Sequence, residues 1–390
     1  VILLCSVLAV TNSLTFLGSP NWSCDADLMR RSKTVPTSVH SLRPADIDIV
    51  GALGDSLTAA NGAGAETNDI LAVAIQYRGL TFSVGGDKTL DEQISMANIL
   101  KKFNPNLFGY SIKSGSANVW ETAHLNAGIP GAHSGDMEGQ AYDLIRRLRD
   151  HPEVDIVNSW KLIHIFIGGN DMCGWCTHLE SSTADAYRDN IKKALDVLRD
   201  NLPRTIVVLT GMIDISLLRM ADADKKFCQW IHHSECGCEV NPDVTDEMLR
   251  DEARQYMIKE QEIQDSGEYD TKDDFTVIIQ PFFENMTDIA RNDRYSKKCN
   301  YRSIMNDIYS ICTFQPDGTV NMDFWAPDCF HFAAYGHALV AKNLWNNMME
   351  PVGAQSPANL TDDGTNPLLC PDKACPFIRT TKNSADCSKY

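Results

Sequence analysis

Apolar and polar positions alternate along the chain in blocks that predict strands and helices in turn. Short apolar runs that are rich in β-branched residues and end at turn residues predict strands. The predicted strands are residues 47–53, 77–84, 123–126, 162–167, 205–210 and 275–280. Apolar residues at a spacing of three and four predict helices. The predicted helices are residues 91–103, 135–148, 183–202, 244–264 and, as the final one, 333–349.

Strands separated by helices are typical of an α/β fold with a mainly parallel sheet and helices on both of its faces. We expect one large domain over residues 20–350, followed by a disulfide-tied tail over residues 351–390, which is rich in proline, asparagine, aspartate and cysteine. In such sheets the functional residues gather at the carboxyl ends of the strands. The glycine-bearing turns after the strands are therefore the places to look for chemistry.

The first residues predict export. Residues 1–10 form an apolar run of the length of a signal-peptide core, too short to span a bilayer, and we expect an incomplete signal peptide over residues 1–19 rather than a first buried strand. Apart from Cys5, the chain has twelve cysteines, an even number that favours disulfides in an exported protein. Three sequons predict glycosylation at Asn21, Asn285 and Asn359.

The formal net charge of −17 disfavours two classes of partner. Nucleic-acid binding proteins are usually basic, so we expect no nucleic-acid partner. A polybasic patch that docks on an anionic membrane is disfavoured for the same reason. A neutral or zwitterionic lipid substrate is compatible with this charge.

Ser56 is the first candidate for chemistry. It follows the strand predicted at residues 47–53, in the turn Gly54-Asp55-Ser56, where a hydroxyl can be held at the start of a helix. Thr58 replaces the second glycine of the G-x-S-x-G elbow, so that motif is absent. The alternative is that Ser56 merely caps the following helix.

Two further elements could complete a catalytic group. Asn170 follows the strand predicted at residues 162–167, and its side-chain N–H could stabilise an oxyanion. Asp328 precedes His331 by three residues, so its carboxylate could accept from Nδ1–H of the ring and leave Nε2 as a base. His337 is a rival to His331 but has no carboxylate three residues before it. Each element has a plain structural alternative as a cap or turn.

The order of these residues resembles the GDSL, or SGNH, hydrolase family, whose four marker residues would be Ser56, Gly131, Asn170 and His331. Gly131 lies in a block, Asn126-Ala127-Gly128-Ile129-Pro130-Gly131, that is similar to the second block of the family. The resemblance implies a flavodoxin-like three-layer α/β/α sandwich. It also implies a serine esterase without a cofactor or a metal, in which the Ser56 and Gly131 backbone N–H groups and the Asn170 side chain form the oxyanion hole.

Segments around these motifs resemble the membrane-associated phospholipase B group more closely. The similar segments, spread over about residues 35–350, are 38–47, 52–59, 77–80, 85–87, 129–134 and 324–331. This resemblance implies calcium-independent hydrolysis of phospholipids, lysophospholipids and other lipid esters. We also expect a monomer in peripheral contact with lipid aggregates. The best-known members of the group carry tandem domains and a membrane anchor. We expect free secretion here, or anchorage if the chain is a piece of a longer protein.

Other interpretations remain open from the sequence. Cysteines 173, 176, 236 and 238 with His232-His233 could bind zinc, although their spacing is irregular. Cys329 could act as a thiol nucleophile. A carbohydrate acetylesterase would use the same triad, and a catalytically inactive lipid- or glycan-binding module could share the fold. The presence of all four marker residues argues against the inactive module.

Overall fold

The computed structural model describes residues 17–177, 180–284, 286, 288–291, 295–304, 307–316, 318–360 and 366–390. For residues 295–304 and 307–316 the description is limited to the backbone. The strands are β1 Ile47–Gly54, β2 Trp160–Phe166, β3 Thr205–Thr210, β4 Phe275–Gln280, β5 Tyr295–Ile304 and β6 Asp307–Pro316. The leader expected over residues 1–16 and the sequon at Asn285 lie outside the described residues.

Twelve helices are described in this part of the chain. They are α1 Ala26–Met29, α2 Ser56–Ala59, α3 Met96–Phe103, α4 Trp120–Ala123, α5 Met137–Arg149, α6 Gly169–Gly174, α7 Ala184–Asn201, α8 Leu218–Asp222, α9 Lys226–Glu235, α10 Asp246–Asp265, α11 Ala334–Met349 and α12 Thr381–Ala385. Among the described residues, no helix has both the length and the apolar character needed to cross a membrane.

The central sheet is parallel throughout, with the strand order β1-β2-β3-β4. Nearly every residue of these strands is buried, which agrees with their almost continuous apolar sequences. Helix α7 packs on both α5 and α10, and α3 packs on α11. Because both faces of the strands are buried, these helices cover the sheet on its two sides, as an α/β/α sandwich requires.

β1 is the point from which the chain extends the sheet first toward one edge and then toward the other. On one side β1 pairs with β2, while on its other side it makes single parallel bridges from Ile49 to Phe108 and from Ala52 to Asn126. The chain therefore leaves β1 toward one edge and later returns to build β2, β3 and β4 on the other. In open parallel sheets, such a switch point at the carboxyl ends of strands is where ligands bind. Ser56 lies directly after β1.

The main predicted elements are confirmed. β3 and β4 match their predicted bounds, and β1 and β2 differ from theirs by one or two residues. The predicted helices 135–148, 183–202, 244–264 and 333–349 correspond to α5, α7, α10 and α11 within two residues at each end. Thr183 and Thr245 cap α7 and α10 through their side chains, which explains why these helices begin where they do.

Four predictions of secondary structure are wrong. Residues 77–84 contain a 3₁₀ turn at Arg78–Leu80 instead of a strand, and the buried Arg78 guanidinium donates from this turn to the carbonyls of Gly115 and Gly128. Residues 123–126 contain the end of α4, and His124, at φ +42°, interrupts extended backbone. The helix predicted from residue 91 begins only at Met96, after the cap at Ser95. Helix α11 is not the final one, because α12 follows it in the tail.

Five disulfides are described: Cys24–Cys370, Cys173–Cys236, Cys176–Cys238, Cys228–Cys329 and Cys375–Cys387. The first of them joins the N-terminal arm to the tail. The tail is also held by backbone bonds, since Ile378 N–H donates to the Leu42 carbonyl and Arg379 N–H to the Met348 carbonyl. The tail therefore packs on the body of the molecule rather than extending away from it.

Candidate active site

Ser56 occupies the first position of α2, immediately beyond β1. The cap of this short helix is Asp55, whose carboxylate accepts from Leu57 N–H at 2.9 Å. The alternative in which Ser56 is the cap is therefore wrong, and its hydroxyl is available for other contacts. Gly54 precedes this turn at φ +155°, and a Cβ there would lie 2.3 Å from the Phe166 carbonyl oxygen. A side chain at Gly54 would therefore displace the turn that carries Ser56.

His331 and Asp328 lie on a turn between the 3₁₀ helix Met322–Phe324 and α11. His331 Nε2 is 2.8 Å from Ser56 Oγ, and His331 Nδ1 is 2.5 Å from Asp328 Oδ2. The other oxygen of Asp328 accepts from the backbone N–H groups of Phe330 and His331. These four contacts fix the carboxylate, the ring and the hydroxyl in one hydrogen-bonded chain.

The electrostatics of this chain suit a base at His331. Burial alone would lower the pKa of His331, but the Asp328 carboxylate outweighs it and the pKa lies above its ordinary value. Burial would raise the pKa of Asp328, but the His331 charge and the hydrogen bonds hold it below the ordinary value. The arrangement therefore favours an ionised Asp328 that stabilises an imidazolium.

His337 does not compete for this place. Its Nδ1 accepts from the backbone N–H of Phe82 at 3.2 Å, and its ring stacks on the Phe82 ring in the core. Burial lowers the pKa of His337 to about 3, so the ring stays neutral. The carboxylate three residues before His331, which His337 lacks, was the sequence signal that separates the two histidines.

Asn170 and Gly131 are linked through Ala132. Asn170, in the first turn of α6, donates from its side-chain nitrogen to the Ala132 carbonyl at 2.8 Å. Gly131 adjoins Ala132 in a turn closed by the bond from Ala132 N–H to the Ile129 carbonyl. Gly131 has φ +79°, which L side chains rarely adopt. An amide nitrogen carries two hydrogens, so Asn170 can hold this loop with one and offer the other to an oxyanion.

The neighbouring aspartates support these turns. Asp171 accepts from both the N–H and the hydroxyl of Ser134, which joins the loop after Gly131 to α6. Burial raises the pKa of Asp55 to about 6, and burial also raises the pKa of Asp171. Both carboxylates bind backbone N–H groups and thereby stabilise their turns.

Glu235, at the end of α9, is close to this group of residues, although no sequence motif points to it. One carboxylate oxygen of Glu235, one of Asp328 and one ring nitrogen of His331 lie within 4.8 Å of one another. Burial and the Asp328 charge raise the pKa of Glu235 to about 7. The sequence signal was weak, because Glu235 is 93 residues before Asp328 and only the fold brings them together.

An apolar pocket opens beside Ser56. Ser56 and Asn170 lie in its wall, and the remaining lining is mostly apolar, formed by Leu57, Met212, Ile213, Ile215, Leu217, Leu218, Trp325, Phe330 and Phe332. The lining comes from the segment after β3 and from the loop that carries His331. A pocket of this kind accepts an apolar group next to the hydroxyl.

The cysteine-based alternatives are excluded by the disulfides. Cys173 and Cys176 are bonded to Cys236 and Cys238, so none of these four sulfurs is a thiolate ligand. Cys329 is bonded to Cys228, so it is not a free thiol. The disulfide instead ties the turn between Asp328 and His331 to α9.

The sheet, its switch point and the Ser56, His331 and Asp328 contacts define an α/β protein with the geometry of a serine hydrolase. A family model described as GDSL-like Lipase/Acylhydrolase matches residues 50–344. The chain belongs to this family. The sequence-based identification of the family and of its α/β fold is thereby confirmed.

Three curated relatives are similar to 90% of this chain. Each is a membrane-associated phospholipase B1, at 39% identity in Rattus norvegicus and Homo sapiens and 40% in Mus musculus. The chain spans less than a quarter of the length of these relatives, 22–23%. A solved GDSL-like lipase from Parabacteroides merdae matches 62% of this chain and 80% of its own, at 15% identity and a TM-score of 0.31.

Proposed function

We propose that this protein is a serine esterase that hydrolyses lipid carboxylic esters, with phospholipids and lysophospholipids as substrates. The observation that carries the proposal is the unbroken chain of contacts from Ser56 Oγ through the His331 ring to Asp328, at 2.8 and 2.5 Å. It stands at the wall of an apolar pocket, where an acyl chain can be held next to the nucleophile. The similarity to phospholipase B1 supports the choice of lipid.

In the proposed mechanism, His331 takes the Ser56 proton as Oγ attacks the ester carbonyl. Asp328 orients the ring and stabilises its charge. The Ser56 and Gly131 backbone N–H groups and the second hydrogen of the Asn170 amide stabilise the oxyanion. His331 then protonates the leaving alcohol, and water attacks the acyl-enzyme by the same route in reverse. No cofactor and no metal takes part in these steps.

Replacement of the nucleophile tests this scheme. The Ser56→Ala variant should lose at least about 10⁴-fold in kcat, because triad members act as a unit. Phosphatidylcholine, lysophosphatidylcholine, retinyl ester and an acetylated sugar are offered without calcium, and released acid is measured. Ser266→Ala, at the end of α10, is the control and should retain full turnover. Near wild-type turnover in Ser56→Ala would contradict the scheme.

A fluorophosphonate probe separates the enzyme from an inactive binding module. The wild-type protein should become labelled at Ser56, as located by peptide mass, and Ser56→Ala should not. Absence of labelling in the wild type would favour a lipid- or glycan-binding module. Release of acetate from the sugar, with no fatty acid from any lipid, would replace the lipid substrate by an acetylated carbohydrate.

We also propose that the protein is secreted, glycosylated and monomeric and that it contacts lipid aggregates peripherally. Five disulfides support an oxidising compartment. Asn21 is exposed and Asn359 is partly exposed, which leaves both within reach of a glycosyl group. A shift in mass after glycosidase treatment of the secreted protein tests the two sites.

A further inference from the structure

Three buried side chains converge behind the turn that carries Asp328 and His331. Asp222 is the last residue of α8, His232 lies in α9, and Glu239 follows the disulfide-bonded Cys238. Their exposed fractions are 4%, 0% and 3%. One ligand atom of each lies within 4.8 Å of the other two. Buried charges at this density require compensation by an opposite charge.

The hydrogen bonding of His232 indicates which ring nitrogen faces the carboxylates. Nε2 lies 2.9 Å from the Asp328 carbonyl oxygen, which can only accept, so Nε2 carries a hydrogen. Nδ1 points to Asp222 Oδ2 at 3.4 Å and Glu239 Oε2 at 3.3 Å. Among the described residues, neither Nδ1 nor Glu239 Oε2 has a hydrogen-bond partner. Two carboxylates and a ring nitrogen therefore face one point, where either a proton on Nδ1 or a metal ion can supply the positive charge that they need.

The distances distinguish a metal ion from a proton at that point. Charge-assisted N–H···O bonds are about 2.7–2.9 Å long, which is shorter than either contact of Nδ1. Ligand atoms that lie about 2.0–2.1 Å from zinc at tetrahedral angles are about 3.3–3.4 Å apart. Both contacts have this separation. An imidazole nitrogen also favours zinc over calcium, which takes oxygen ligands.

The outer contacts of His232 agree with a ligand role. Histidines that bind metals almost always donate their second ring N–H to a carboxylate or a backbone carbonyl, which fixes the tautomer. The bond from His232 Nε2 to the Asp328 carbonyl has this form. The cysteines around the cluster are in disulfides, so the ligand set differs from the cysteine-rich set considered from the sequence.

We propose that Asp222, His232 and Glu239 bind a zinc ion, with a water molecule as the fourth ligand. Two carboxylates balance the charge of the ion, and a neutral His232 completes the set. The ion links α8, α9 and the segment after Cys238 behind the turn that holds Asp328 and His331. Its role is structural, because all three ligands are buried. This proposal departs from the sequence-based expectation of no metal and does not depend on Ser56 being the nucleophile.

Zinc binding to the whole, untagged protein tests the site. Metal is removed with a chelator, zinc is returned until binding is complete, and affinity is measured by competition with a chromogenic chelator. We expect one zinc ion per chain with submicromolar affinity. X-ray absorption should show only nitrogen and oxygen ligands, at about 2.0–2.1 Å. Absence of such binding, or sulfur among the ligands, would overturn the proposal.

Matched variants locate the ion. Glu239→Gln keeps the shape but removes a charged ligand, and should weaken zinc binding at least ten-fold. Asp222→Asn should do the same and serves if the first variant does not fold, as judged by circular dichroism. His233→Gln is the control, because His233 adjoins His232 but is exposed. Equal affinity in the ligand variants and the wild type would mean that an imidazolium proton, not a metal, balances the carboxylates.

Discussion

At the residue scale, Asn170 has two tasks that a single variant can separate. Its amide nitrogen holds the Ala132 carbonyl, and we propose that its second hydrogen stabilises the oxyanion. The bond to Ala132 stabilises the folded protein with or without substrate, whereas the bond to the oxyanion forms mainly in the transition state. Stability and turnover should therefore respond differently to its removal.

The Asn170→Ala variant should lower kcat by about 10²–10³-fold, with a much smaller change in KM, because one oxyanion donor is worth about 3–4 kcal/mol. The lost bond to Ala132 should cost about 1 kcal/mol of unfolding free energy. Steady-state kinetics on a lipid ester and chemical denaturation measure the two effects. A rise in KM with an unchanged kcat would assign Asn170 to substrate binding instead.

At the element scale, α10 carries a carboxyl group in the core. Glu260 is fully buried, and the Tyr187 hydroxyl donates to its Oε1 at 2.5 Å. Its other oxygen has no hydrogen-bond partner in the part of the chain that the structure describes. Burial raises the pKa of Glu260 from 4.5 to about 8. The folded protein therefore retains a proton that the unfolded chain releases between these two values.

Stability should consequently fall as the pH rises from about 4.5 to about 8, by up to about 1.4 kcal/mol per pH unit from this group. Below about pH 4.5 Glu260 is protonated in both the folded and the unfolded state, so the stability that its proton provides is fully present. The Glu260→Gln variant should flatten this slope, as measured by chemical denaturation at pH 5 and 8. Glu262→Gln, on the exposed side of α10, is the control and should retain the wild-type slope.

At the scale of the whole molecule, disulfides connect surface elements to the site. Cys228 of α9 is bonded to Cys329, between Asp328 and His331. The same helix exposes Phe227 and Trp230, whose side chains are 46% and 69% exposed. Aromatic side chains of this kind favour the interface between water and lipid. The helix that is bonded to the turn of Asp328 and His331 therefore also carries exposed aromatic side chains.

Trp230→Ala should reduce hydrolysis of phosphatidylcholine vesicles by about ten-fold, because about 1.4 kcal/mol of lost lipid contact corresponds to that factor. Hydrolysis of a water-soluble short-chain ester should not change, because Trp230 does not line the pocket. Tyr142→Ala removes an exposed aromatic from α5 and should leave both rates unchanged. An equal loss on both substrates would assign Trp230 to the fold of α9 rather than to lipid contact.

The division of the chain into a leader over residues 1–19, a domain over residues 20–350 and a tail over residues 351–390 stays a prediction. Within it, the four central strands and the long helices α5, α7, α10 and α11 could be predicted because hydrophobic periodicity is a local property. The short elements could not, since their conformations follow from distant contacts. Arg78 shows this, because its buried guanidinium reaches the carbonyls of Gly115 and Gly128.

The sequence by itself determined the family and nominated Ser56, Asn170 and the Asp328/His331 pair, because each lies in a short local motif. Only the tertiary structure decided that His331 Nε2 reaches Ser56 Oγ across 275 residues of chain and that His337 binds the Phe82 backbone instead. It likewise decided which cysteines pair. A contact between distant segments depends on how the sheet and its helices pack. The spacing of residues along the chain does not determine how close they lie in the folded protein.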